Sequence, residues 1–328
     1  MKKRICIALC VVVAFVFTAC NIAGKEFVWD INSANGHTVF TVNDEKCSLT
    51  EAKIYLCNYR NLYGKEYDVD LWKYYFGDES LNDYVKDVTL EEVSRIFCME
   101  LIAESKDISL SKKEKENVSK AAEEYYESLS DYEIDYMDAR KSDIEDAYEK
   151  YALAQKLYKS LVNDVNTEVS DDDARVITIQ QIFVTSTESA NSVSQRLAAG
   201  EEFSKIAGTY NEAGETEINA ARGDLPEAVE TVAFELDDNE VSEMITVDKG
   251  YYFVKCINKL NPELIEENKA NILVVREQEE FNDDYDSFVK SADFELNEKL
   301  WNTIDISKES KIKTDSFFEV YDKYFEKS

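Results

Sequence analysis

The chain is short of histidine, proline and positive charge, and each shortage removes a class of function. His37 is its one histidine, so no metal site or acid–base couple can be built on paired imidazoles. Two prolines leave no proline-rich linker. Against 68 acidic residues stand 37 lysines and arginines, a net charge of −31. Nucleic acid is therefore excluded as a partner of the whole protein, because phosphate binding needs a basic face. An anionic lipid surface would also repel it, and solubility is the plain reading of the charge. The seven cysteines include no Cys-x-x-Cys, which argues against thioredoxin-like exchange or a zinc knuckle. No internal repeat is discernible. What is present is 328 residues, 44% of them apolar, enough for one large or two medium domains.

Lys2, Lys3 and Arg4 precede an apolar run, Ile5 to Phe17, that is too short for an ordinary membrane span. The run ends in Phe17-Thr18-Ala19-Cys20, which resembles a bacterial lipobox. That resemblance implies cleavage after residue 19 and lipidation of Cys20, with diacylation giving the two-chain anchoring that stable attachment needs. Removing residues 1–19 takes away three positive charges and no negative ones. Cys47, Cys57, Cys98 and Cys256 then remain as thiols. Export permits disulfides, but the helical stripes place Cys57 and Cys98 near apolar faces, and no bridge is assigned.

Residues 21–38 read as a tether, and Val39 to Asn43 as a short strand and turn. Ser48-Leu-Thr-Glu51 is a capping box opening a helix with Ile54, Tyr55, Tyr59, Leu62 and Tyr63 at helical spacing, stopped by Gly64. Thr89-Leu-Glu-Glu92 predicts the start of a second helix, and Ser142-Asp-Ile-Glu145 that of a third, whose stripe runs from Ile144 to Leu161. Asn261-Pro262 reads as N-cap and first turn of a long helix carrying Leu264, Ile272, Val275, Phe281, Tyr285 and Phe288. A segment Phe294 to Ile306 and a terminal helix near Ser316–Phe325 follow. Such stripes are core more often than ligand groove.

Between these helical ends lies a different pattern. A β-like run, Val176 to Val184, leads to a helix through Leu197 and a second one to Tyr210. A polar loop, Asn211 to Ala221, then reaches Gly223-Asp224-Leu225 and Ala233-Phe234-Glu235-Leu236. The stretch closes with Asn239 to Val247, a turn at Asp248-Lys249-Gly250, and Tyr251-Tyr-Phe-Val-Lys255. This order resembles the parvulin family of peptidyl-prolyl isomerases, and the whole mature chain is similar to the PrsA/SurA group of extracytoplasmic foldases. The resemblance implies an α+β fold, a mostly helical chaperone domain with an inserted parvulin-like domain of antiparallel sheet and flanking helices. The implied divisions are 1–19 signal peptide, 20–38 tether, 39–172 helical N-terminal domain, 173–260 parvulin-like domain, and 261–328 a helical segment returning to the N-terminal domain.

A prolyl bond crosses a barrier of about 18–20 kcal/mol because twisting costs amide resonance. A catalyst need only bind the twisted form better than the planar ones, so neither a nucleophile nor a cofactor nor a metal is expected. The family uses an apolar proline pocket beside a polar cluster with two histidines and a cysteine or aspartate. At the corresponding positions this chain has Gln181, Tyr252 and Ala213. The resemblance assigns substrate contacts to Leu225, Phe234 and Phe183. Only Pro226 to Val232 separates Leu225 from Ala233-Phe234, a shorter segment than the family's, so pocket residues should be missing. Gln181 and Tyr252 could hydrogen-bond to each other or to a peptide carbonyl, but not reproduce a histidine pair's shared proton. Weak or absent isomerase activity is the expectation.

The partners this implies are unfolded or proline-containing secreted polypeptides, met by a protein lipid-anchored to the outer face of a bacterial cell membrane; oligomeric state is left open. An active isomerase with a variant site is the alternative. A lipid-anchored solute-binding protein fits less well, since two-lobed solute binders alternate strands with helices along the chain and this one does not.

Overall fold

The computed structural model describes residues 30–31, 36–66, 69–73, 75–76 and 79–325. Cys20, the leader and most of the tether lie outside them. The architecture is α+β and mostly helical, its strands mainly antiparallel. Two compact units divide it: one takes the chain up to Asn163 and again from Phe281, the other is Asp164–Glu280.

The first unit has a small sheet whose strands lie in the order Asp30–Ile31, Phe294–Leu296, Thr38–Val42, Glu45–Ser48. Phe294–Leu296 runs antiparallel to Thr38–Val42, with Glu295 opposite Thr41, so chain from both ends builds one sheet. The helix Leu49–Tyr63 starts where Ser48 caps it, its hydroxyl accepting from Glu51 N at 3.1 Å. It stops at Gly64, whose N–H reaches Arg60 O. A Cβ there would stand 2.3 Å from Trp72 Nε1 and 2.4 Å from Arg60 O, so only glycine fits.

Two predicted helix starts are corrected. Leu81–Ser105 is one helix capped by Ser80, which accepts from Asp83 N at 3.2 Å. Thr89 lies inside it, its hydroxyl turned back to Val85 O at 2.7 Å, the usual use of threonine within a helix. Likewise Lys141–Val162 begins at Arg140, whose N–H donates to Asp143 Oδ2 at 2.7 Å, and Ser142 falls in the first turn. Two further helices were not foreseen, Lys112–Ser128 and Asp131–Met137. Each opens with a reciprocal capping box, Ser111 with Glu114 and Ser130 with Glu133.

The terminal helix Phe317–Phe325 completes this core. Phe317 stacks on Tyr148, ring centroids 4.1 Å apart and 9° between planes, and Tyr148 Oη donates to Phe317 O at 2.7 Å. Asn58 Oδ1 accepts from Phe317 N at 3.0 Å, while Asn58 Nδ2 donates to Tyr125 Oη at 2.6 Å. Glu133 Oε1 accepts from the backbone of Lys313 and Thr314 at 2.7 and 2.8 Å. These buried polar groups are thus satisfied by partners far away in the chain.

The second unit is a four-stranded antiparallel sheet in the order Ile245–Val247, Gly250–Asn258, Val176–Val184, Glu217–Ala221. Side chains alternate across it. Ile182, Val184 and Phe253 pack with the helices Thr187–Ala198 and Phe203–Tyr210 on one face, and Ile177, Ile179, Val254 and Cys256 with the helix Glu227–Ala233 on the other. Gly250, at the hairpin, passes so near the neighbouring strand that a Cβ would sit 2.3 Å from Val184 O. The unit reaches past 173–260 at both ends for a visible reason. Along the helix Pro262–Val289, Arg276 Nη1 donates to Asn166 O and Glu168 O at 2.9 and 3.0 Å, Asn268 Nδ2 to Ala174 O at 3.2 Å, and Lys269 pairs with Asp171 at 2.5 Å. The helix then passes to the first unit, where Phe281 and Tyr285 join the core. Val275, predicted on its apolar stripe, is exposed.

Candidate functional site

The alternation that builds the sheet also gathers the expected site residues. Gln181 and Phe183 share one face of the central strand, and Tyr252 shares it from the next strand, directly opposite Phe183. The Phe183 and Tyr252 rings lie 4.7 Å apart at 36°. Leu225, Phe234 and Tyr252 belong to the apolar cluster on this face. Five positions scattered over 181–252 thus converge.

Their chemistry is less open than their placement. Gln181 sits opposite Val254, two residue pairs along from Tyr252. It is 9% exposed. Its Nε2 donates to Glu215 O at 3.0 Å and its backbone N to Thr216 O at 2.7 Å, so the carboxamide fixes the polar loop to the strand. One amide proton and the carbonyl oxygen of its carboxamide stay uncommitted by that bond.

Phe234 is 3% exposed. The guanidinium of Arg222 lies 4.7 Å from its ring centre and that of Arg175 5.0 Å, a double cation–π cover. Arg222 in turn pairs with Asp172 at 3.2 Å. Leu225 is half-buried, and Pro226 leads at once into the helix Glu227–Ala233, whose Val229 and Ala233 are buried. The short connection leaves no room for a longer wall between Leu225 and this helix.

Asn211 carries weight that the sequence reading missed. Its Oδ1 accepts from Phe183 N at 2.9 Å and Ala213 N at 3.1 Å, and its Nδ2 donates to Ala213 O at 3.1 Å. Glu212 adds its N–H to Phe183 O at 2.8 Å and takes the Thr185 hydroxyl at 2.7 Å. Asparagine directly after the helix Phe203–Tyr210 is the signal that could have found this turn. Arg175 and Arg222 had no sequence signal, since a cation over a ring depends on tertiary placement. A surface cavity of about 450 Å³, lined by Leu197, Phe203, Val241 and Lys255 among others, lies apart from these residues.

Residues 166–269 match the family model described as PPIC-type PPIASE domain. This stretch, with its sheet and flanking helices, is a parvulin-type domain. The chain is also similar to PrsA foldases. It is 24% identical over 186 residues to "Foldase protein PrsA" of Clostridium acetobutylicum, covering 48% of this chain and 55% of that protein. It is 22% identical over 281 residues to "Foldase protein PrsA" of Caldanaerobacter subterraneus subsp. tengcongensis, covering 78% and 82%. The solved structure of a peptidylprolyl isomerase (PrsA) from Bacillus cereus matches at 19% identity and a TM-score of 0.38, over 76% of this chain and 97% of that one. The first of these alignments spans about half the length of the Clostridium protein.

Proposed function

We propose that the protein is a membrane-anchored extracytoplasmic foldase or holdase for secreted polypeptides, in which the parvulin-like domain isomerises prolyl bonds weakly or not at all. The observation that carries the second half is the commitment of the site side chains to their own fold. Gln181 holds Glu215, and Phe234 lies under two guanidiniums. The anchor rests on the Lys2-Lys3-Arg4 and Thr18-Ala19-Cys20 signals. Cys20→Ala should move the protein from the membrane fraction to the medium or block its processing; a wild-type protein that is soluble and begins elsewhere would overturn the anchor.

Client binding draws support from aromatic surface on the first unit. Leu62, Tyr63 and Tyr84 are exposed, and Tyr63 and Tyr84 meet edge-to-face at 5.8 Å; such amphipathic rings suit extended, partly apolar segments. The chain without its leader should slow the light-scattering growth of a chemically unfolded client at equimolar ratio, and Tyr63→Ser with Tyr84→Ser should weaken that effect. Aggregation unchanged by the wild-type protein would count against a holdase. The reading of an active variant site is favoured by one feature: Gln181 and Tyr252 share a face, with part of the Gln181 carboxamide uncommitted.

A further inference from the structure

Three helices of the first unit bring together two carboxylates and one ammonium. Lys150 Nζ lies 3.5 Å from Glu51 Oε1 and 3.7 Å from Glu100 Oε2. It also lies 3.8 Å from the ring centre of Phe97. The side chains of Glu51, Glu100 and Lys150 are 13%, 17% and 17% exposed. Glu100 Oε2 is buried with no hydrogen-bond partner. The cluster therefore holds one negative charge too many, away from water.

The ionisable groups that act on it most strongly, apart from Lys150, add to that excess or stay neutral. Glu45 faces it from the strand Glu45–Ser48, Glu104 from the helix of Glu100, and Asp146 from the helix of Lys150. Cys47 and Tyr55 also neighbour Glu51, and burial pushes both of them well up, so both are uncharged near neutrality.

We propose that Glu51, Lys150 and Glu100 form a proton-binding switch that tightens this unit as its surroundings pass from mildly alkaline to mildly acidic. One proton taken up by either carboxylate leaves a balanced carboxylate–ammonium pair. Taken up at Glu100, it also supplies an O–H where a bare carboxylate oxygen had no donor. Burial, against the opposing pull of Lys150, pushes both carboxyls up to about 7 from their ordinary 4.5. The folded state thus holds the proton more tightly than the unfolded chain. Stability is gained as pH falls through about 7, is fully present below 4.5, and is lost again as pH rises through about 7. This is opposite to Asp143, lowered by hydrogen bonds from Arg140, and to Glu133, where burial pushes up but hydrogen bonds from Ser130, Lys313 and Thr314 prevail and lower it; both favour folding at neutral pH.

The test is urea unfolding of the full chain at pH 8 and pH 5.5, followed by tryptophan emission. Asp164–Glu280 holds no tryptophan, whereas Trp72 and Trp301 belong to the first unit, so the signal reports this unit. Glu100→Gln imitates the protonated side chain permanently, and Glu51→Gln does the same on the other arm. Wild type should gain a factor on the order of ten in its folding constant at pH 5.5 beyond any gain of Glu100→Gln. Both variants should be more stable than wild type at pH 8. Comparing variants at each pH cancels the other carboxyls that titrate in the same range. Parallel pH profiles for all three proteins would overturn the switch, as would variants that are less stable than wild type at pH 8 or fail to fold there.

Discussion

Phe317→Ala is expected to unfold the first unit or leave it barely folded. The side chain is fully buried. Besides its stack on Tyr148, it meets Tyr125 edge-on at 5.4 Å, Tyr55 at 5.1 Å and Phe318 at 5.2 Å. Truncating a buried phenylalanine costs about 3–5 kcal/mol, and this ring adds aromatic pairings of about 0.5–1.5 kcal/mol each. A domain's whole stability is only about 5–15 kcal/mol. The backbone of residue 317 also holds Tyr148 Oη and Asn58 Oδ1, and a shifted helix would strand both in the core, where an unpaired group costs about 1–3 kcal/mol. Urea unfolding read by tryptophan emission should show the midpoint collapse. A loss below about 1 kcal/mol, typical of a surface substitution rather than a core truncation, would mean that the terminal helix is not part of this core.

The second large effect is on catalysis. In a proline-tetrapeptide assay the full chain is expected to show kcat/KM at least about 100-fold below an active parvulin, equivalent to about 2.7 kcal/mol of lost transition-state binding. The twisted amide must find an apolar pocket and a preorganised polar rim. Here Phe234 is covered, Tyr252 is packed against Phe183, and the Gln181 amide is hydrogen-bonded to Glu215 O. Gln181→Ala and Tyr252→Phe should leave the small residual rate unchanged. Parvulin-like turnover that falls sharply in either variant would show that the two side chains form a working variant site.

The fold class was legible through the family resemblance, while the residues themselves showed two periodicities that change at the edges of the central stretch. The alternating run at 176–184 and the Gly250 turn place the sheet, and Ser48 with Gly64 brackets a helix to the residue. Helix starts were legible only where one cap stood alone. Ser80 outcompeted Thr89 because its helix already ran through the later threonine, a continuity that local spacing does not reveal. The convergence of Gln181, Phe183 and Tyr252 followed from strand parity. That Phe234 would be covered did not, since Arg175 and Arg222 are distant from it in sequence and act through ring contacts. Gln181 likewise gave no hint of Glu215, because a side chain's choice between a loop carbonyl and a ligand is decided by where the loop returns.

The two-ended core of the first unit also sets a timetable. Tyr148 Oη finds its acceptor 169 residues later, Asn58 its donor 259 later, and Glu133 its backbone donors 180 and 181 later. A growing chain that has not yet released residues 313–317 holds these groups without those partners and lacks the ring that Tyr148 stacks on. Contacts of such long separation form late, because the loop must close before they contribute. The unit therefore cannot lock while residues 313–317 are still inside a ribosome. Until then the groups that close this core wait for partners not yet made, and its last step is the arrival of the terminal helix.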